Sequence, residues 1–247
     1  MVEVVAGLGY GASGQLMDVH RPVGAAELLP VVLLWHGRGP DERDVLAPVA
    51  RAAAAFGLVV LVPDWRPDAA DGGRAQLRES VDFARRRAAD LGGDGGRIVL
   101  AGWSLGGKAA VGVGTHPDGI DGWRPSAVVG IAGAYDSPAP ATGTAPLDDL
   151  RTGAVPVPVR LVHGSADTVV DAARSRELRT ALQALGHPVS YDEVATDHAG
   201  VVMTEYVPER ARCLPSTAAH ALHAGALTAT VLARAAGVLG DAGSGQG

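Results

Sequence analysis

The sequence predicts an α/β fold, a mostly parallel central sheet flanked by helices. Short runs rich in Val, Leu and Ile recur without internal polar alternation, as strands buried on both faces do. Segments of helical period, rich in Ala and Arg, separate them. The spacing leaves one helix between successive strands, the crossover that a parallel pair requires. With 247 residues and 47% hydrophobic composition, the apolar material suffices for one large domain. Residues 1–240 are read as that domain, and "DAGSGQG" (241–247) as a disordered tail.

The elements follow in order. "LPVVLLWHG" (29–37) reads as a buried strand entering a glycine turn, and "VLAPVARAAAAFG" (45–57) as a helix stopped by Gly57. "LVVLVPD" (58–64) is the next strand. In "AQLRESVDFARRRAADLG" (75–92), Leu77, Val81, Ala84, Ala88 and Leu91 share one helical face, with the charges opposite. "RIVLAGW" (97–103) is a strand that passes into a helix from about Ser104. "AVVGIAGA" (127–134) and "VPVRLVHG" (157–164) are two more buried strands, and the Pro/Gly/Thr-rich stretch between them (136–158) reads as a loop with a helical turn. "SRELRTALQALG" (175–186) is a helix and "PVSYDEVA" (188–195) alternates as an edge strand. "STAAHALHAGALTATVLARAAG" (216–237) is a final helix with Ser216 as its N-cap.

Composition excludes several classes. The formal net charge is −6 and no basic stripe occurs, so a nucleic-acid partner is not expected. Cys213 is the only cysteine, which rules out an intrachain disulfide and a Cys-based zinc cluster; no metal or cofactor is expected. The start "MVEVVAGLGYG" lacks the basic and apolar regions of a signal peptide, and no run is long enough to span a membrane. A cytoplasmic protein acting on a small molecule is the expectation. Nothing in the sequence fixes an oligomeric state.

The chemistry centres on Gly102, Ser104 and Gly106, which spell G-x-S-x-G between a strand and a helix. A nucleophile on this bend occupies strained backbone space, and glycines two residues either side give strand and helix clearance. A serine needs a base, and the base an orienting acid, here in the chain order Ser, Asp, His. Asp167 follows one later strand and His198 the next, both at carboxyl ends. Asp136 is the alternative acid. Asp171 reads as the start of a helix and Asp197 as a turn residue. His163 reads as a structural hydrogen-bonder, His220 and His223 as helix-surface or packing residues, and His20, His116 and His187 as turn or loop residues.

The oxyanion of an acyl-transfer reaction would be held by the backbone N–H of Leu105 and that of Arg38 or a neighbour in "HGRGPDERD" (36–44). His36 and Gly37 shape that turn, and Gly37 is counted with the substrate-binding residues. The Arg38 side chain reads as solvated, with contact to an acidic substrate group as the alternative. Trp35, Trp65 and Trp103 lie near strand ends, where they would wall an apolar acyl pocket; Trp103 fits core packing equally. Lys108, the only lysine, reads as an ordinary helix lysine one turn beyond Ser104.

These residues resemble the α/β-hydrolase superfamily from about residue 9 to the final helix. "YGASGQLMDVHRP" (10–22) is similar to the N-terminal strand pair of small carboxylesterases of the acetyl-esterase, feruloyl-esterase and hormone-sensitive-lipase type. "PDWRPDA" (63–69), "HGSADTVV" and "DHAG" resemble their later segments. "HGRG" departs from the longer glycine run of that group, and "GWSLGGKAA" resembles the dienelactone-hydrolase branch with serine in place of cysteine. The resemblance implies ester hydrolysis through an acyl-enzyme, with Ser104 as nucleophile, Asp167 as acid and His198 as base. The short segment at 136–158 leaves little or no cap domain, and an uncapped site suits short-chain or aromatic esters. Amide, arylformamide or thioester hydrolysis, or acyl transfer, is the alternative with the same triad. A hydrolase-like binding protein is the non-enzyme alternative.

Overall fold

The computed structural model describes residues 1–153 and 157–240; the expected tail at 241–247 lies outside them. The chain opens with an antiparallel pair, β1 (Val2–Tyr10) and β2 (Gln15–Pro22). Strands and helices then alternate: β3 (Leu29–Trp35), α1 (Arg43–Ala54), β4 (Val59–Pro63), α2 (Arg74–Arg87), β5 (Gly93–Trp103), α3 (Leu105–Thr115) and β6 (Ala127–Ile131). After β6 come the short α4 (Pro146–Asp149), β7 (Val159–Gly164), α5 (Ala173–Ala184) and β8 (Val189–Val194). A two-stranded hairpin, β9 (Thr204–Val207) with β10 (Arg212–Pro215), precedes α6 (Ala219–Ala235).

The main sheet has the order β1-β2-β4-β3-β5-β6-β7-β8. β2 runs antiparallel to β1 and β4, and the pairs from β4 to β8 are parallel. Alternation along each strand divides the core into two layers. Val31, Leu33 and Trp35 pack with residues of α2, α3 and α5 on one face. Val32 and Leu34 pack with residues of α1 and α6 on the other. All these strand residues are fully buried, which is why the sequence shows continuous apolar runs rather than alternation.

The expected strands and helices are present, with shifted ends. β5 begins earlier than its apolar run, because Gly93 and Asp94 pair with Leu29 and Pro30 before a register shift. β6 ends at Ile131, since Ala132 adopts φ 50° and turns the chain away. The N-terminal pair begins at Val2, eight residues before the stretch that resembled it. Asp171 accepts from the Ala173 N–H at 2.8 Å, as a residue at a helix start does. Ser216, expected as the last helix's N-cap, is not: the cap position is Ala218, and Ser216 Oγ meets the Ala218 N–H at 3.1 Å and Glu205 at 3.0 Å.

His20 corrects its loop reading. It lies in β2, 1% exposed, on the face covered by α1, and neither ring nitrogen has a hydrogen-bond partner among the described residues. Burial lowers its pKa to about 4, with Asp18 opposing the shift and Arg51 adding to it. Between pH 6.5 and pH 4 the unfolded chain takes up a proton that the folded chain refuses. Stability contributed at neutral pH is therefore lost as pH falls, by about 3 kcal/mol across that window. Urea denaturation at both ends of the window measures the loss. His20→Leu should flatten this part of the profile; an unchanged slope in the variant contradicts the assignment.

Candidate active site

The turn between β5 and α3 holds Ser104 at φ 56° and ψ −117°, a region that side-chain-bearing residues rarely occupy. Both backbone polar groups are nonetheless engaged: the N–H donates to Ile131 O at 2.8 Å, and the carbonyl accepts from the Lys108 N–H at 3.1 Å. The flanking glycines are required by contact. A β-carbon on Gly102 would collide with the Gly106 carbonyl, and one on Gly106 with the carbonyls of Trp35 and His36. The turn is thereby pressed against the carboxyl end of β3, and Ser104 is left partly exposed.

Asp167 follows β7, and its side chain is fully buried. One carboxylate oxygen accepts from the backbone N–H groups of Val169 and Val170, each at 2.8 Å. The other lies 2.6 Å from His198 Nδ1 and 3.2 Å from His163 Nε2. Burial pushes the Asp167 pKa up, but the hydrogen bonds from His163, His198 and Val170 outweigh it and hold the carboxyl well below the usual carboxylate range. The acid is therefore ionised. Because His198 Nδ1 faces a carboxylate it carries the proton, which leaves Nε2 as the acceptor in the neutral ring.

A close approach of two loops makes that pair. A β-carbon on Gly164 would run into the Thr196 carbonyl and stand 2.7 Å from that of Asp197. Without one, Ser165 N–H reaches Val194 O at 2.8 Å and Ala166 N–H reaches Thr196 O at 3.0 Å, which ties the acid's loop to the histidine's. Trp103 secures the other side of His198. Its Nε1–H donates to His198 O at 2.9 Å, and the ring centroids are 5.1 Å apart. His198 thus lies against the residue preceding Ser104. No hydrogen bond joins Ser104 Oγ to His198 among the described residues.

The third element is the turn after β3. His36 is fully buried, and its Nε2 accepts from the Trp65 N–H at 3.1 Å, so Nδ1 carries the proton, 3.1 Å from Gly37 O. Glu42 accepts from the Gly39 N–H at 3.1 Å. A β-carbon on Gly37 would stand 3.0 Å from both Glu42 and the Trp103 ring. Leu105 opens α3, where the first N–H groups have no acceptor within their own helix.

The structure thus brings Asp167 and His198 into contact beside Ser104, with the Gly37–Arg38 turn packed on the same edge. It corrects the proposed pocket wall. Trp65 is 0% exposed and spends its Nε1–H on His36 O at 3.2 Å, so it cannot meet a substrate. Trp35 is equally buried and donates to Ser80. Trp103, at 4% exposure, serves His198 rather than a cavity. The alternative acid, Asp136, is engaged by Arg174 at 3.0 Å. His163 bonds structurally as expected, between Ser175 Oγ at 2.7 Å and Val170 O at 2.8 Å, but its link to Asp167 was missed. The available signal was its position four residues before that acid. Asp197 accepts from the Gly200 N–H at 2.7 Å, as a turn residue does.

Among the described residues, no group of three or more His, Cys, Asp or Glu side chains could hold a metal ion, and no helix is long and apolar enough to cross a membrane. No protein-family model and no curated protein sequence matches the chain. Solved structures do. A truncated carbohydrate esterase from gut microbiota is 13% identical, with a TM-score of 0.70 over 95% of this chain and 96% of that one. A dienelactone hydrolase, described as putative, from Klebsiella pneumoniae is 17% identical, with a TM-score of 0.70 over 96% and 99%. A butyrate-bound thermophilic esterase from the planctomycete Thermogutta terrifontis is 16% identical, with a TM-score of 0.72 over 97% and 96%; it is also known phosphorylated by paraoxon. The chain has the α/β-hydrolase fold.

Gly164→Ala should wedge the acid loop from the histidine loop, at a cost of about 1–3 kcal/mol in denaturant unfolding. It should also remove the low-field proton resonance of the His198–Asp167 hydrogen bond. A variant as stable as the parent, with that resonance intact, contradicts the close-approach account.

Proposed function

We propose that this chain is a serine hydrolase that cleaves carboxylic esters through an acyl-enzyme. The observation that carries the reading is the 2.6 Å bond from His198 Nδ1 to a buried, ionised Asp167, made beside a serine on a strained strand-to-helix turn. Ser104 Oγ attacks the ester carbonyl while His198 Nε2 takes its proton. Such serine–histidine bonds are often long or poorly aligned before substrate binds. Asp167 stabilises the imidazolium that forms. The N–H groups of Leu105 and the Arg38 turn hold the oxyanion. His198 then protonates the leaving alkoxide, and water attacks the acyl-enzyme by the same route to release the acid.

The structural neighbours support this chemistry by analogy of fold alone. One holds butyrate and is phosphorylated by paraoxon, as an enzyme acting on short acyl esters through a nucleophile would be. The segment after β6 contributes only the short α4 and a turn of 3-10 helix among its described residues, in keeping with a site that has no large cap.

Ser104→Ala should lower kcat/KM for p-nitrophenyl acetate by about 10³-fold or more, with the far-UV circular dichroism and Tm of a folded protein. Asp167→Asn, which leaves His198 without its ionised partner, should cost about as much. Near-parental activity in a folded Ser104→Ala variant contradicts the assignment.

A further inference from the structure

We propose that Glu42 is a positioning residue for the oxyanion site: the turn after β3 is wound around its carboxylate, which leaves the Arg38 N–H, rather than that of Gly39, for the substrate oxygen. The proposal rests on the reading of Ser104 as nucleophile. Glu42 stands at the N-cap position of α1, where a side-chain acceptor ordinarily bonds the first N–H groups of the helix, yet its side chain makes no such bond. It turns back into the loop instead. Its Oε2 accepts from the Gly39 N–H at 3.1 Å and lies 3.7 Å from Nδ1 of the buried His36. Only 16% of the Glu42 side chain is exposed.

The two glycines of "HGRG" follow from this carboxylate. Neither Gly37 nor Gly39 has a positive φ, so backbone conformation does not require them. Space does. A β-carbon on Gly39 would collide with Glu42 Oε1 and stand 2.9 Å from its Cγ. One on Gly37 would stand 3.0 Å from Oε2 and 3.0 Å from the Trp103 ring. Arg38, between the two, is exposed. Gly37 is thus packed between Glu42 and the residue that precedes Ser104, and the carboxylate sets where the turn lies against the serine. The Gly39 N–H is spent on Glu42, whereas the Arg38 N–H makes no hydrogen bond among the described residues. A charge-assisted bond one residue away restrains the backbone that carries this free donor, and a donor fixed before reaction is what a developing oxyanion needs.

Glu42→Ala should lower kcat for p-nitrophenyl acetate about 10²-fold, with KM within about twofold of the parent's. Glu42→Gln, whose amide oxygen can accept the same N–H, should retain most of the activity. Trifluoroacetophenone reports on the oxyanion itself: Ser104 Oγ adds to its carbonyl carbon, the hydroxyl proton passes to His198, and the ketone oxygen becomes the anion. Its inhibition constant should rise in Glu42→Ala by about the factor that kcat falls. Gly39→Ala drives a β-carbon into the carboxylate; it should lower kcat in the parent and lower it no further in Glu42→Ala, where the space is open. Amide hydrogen exchange reads the turn without turnover. The Gly39 N–H should exchange about tenfold faster in Glu42→Ala and at close to the parental rate in Glu42→Gln, with the Ser104 N–H unchanged in both. That pattern sustains the hold of Glu42 on the turn even if the parent hydrolyses no ester, an outcome that would remove only the hydrolase reading. Ester hydrolysis by the parent with an equal kcat in a folded Glu42→Ala variant, or with equal losses in the Ala and Gln variants, overturns the proposal and leaves the hydrolase reading standing.

Discussion

Ser104 is held at φ 56° by the chain on both sides of it, and the geometry of the site depends on that constraint. A residue in this conformation costs about 1–3 kcal/mol and persists only where its surroundings over-determine it. Here they do. The carboxyl end of β6 fixes the N–H and the first turn of α3 fixes the carbonyl; close contact admits nothing larger than glycine at 102, against the start of α3, and at 106, against the end of β3. The same closeness brings the turn after β3 beside the start of α3. The backbone groups proposed to hold an oxyanion are therefore neighbours because the turn at Ser104 is tight.

A second constraint acts on the opposite side. A buried carboxylate is costly unless it is well bonded, and Asp167 is met by two backbone N–H groups and two histidines. His163 belongs to this set, so the charge that orients His198 rests on a residue that is itself fully buried and locked by Ser175. Trp103 joins the two halves of the site, since it precedes the serine in the chain and bonds the histidine's carbonyl. The parallel sheet supplies the rest: β3, β5, β7 and β8 all deliver their following residues to one edge.

Much of this was legible in the sequence, for identifiable reasons. The G-x-S-x-G turn, Asp167 and His198 follow strands that are continuous apolar runs, so their order along the chain converts directly into proximity at one edge. The side-chain roles of the tryptophans were not legible, because position near a strand end does not say which way a ring points; Trp65 turns inward onto His36. Ser216 fits a cap by spacing, but the chain reaches α6 through the β9–β10 hairpin, and that entry puts Ala218 at the cap. The hairpin escaped notice because each strand spans only four residues. His20 reads as a loop residue although it falls within the stretch that resembles a strand pair; its pairing opposite Val60 of β4 and the packing of α1 bury it.

The central claim is the reactivity of Ser104, and covalent capture tests it most directly. Folded protein treated with a fluorophosphonate and digested for peptide mass mapping should carry one adduct, on the peptide that contains Ser104, and His198→Ala should suppress it. An adduct at another residue, or none at all from folded protein, would contradict the account.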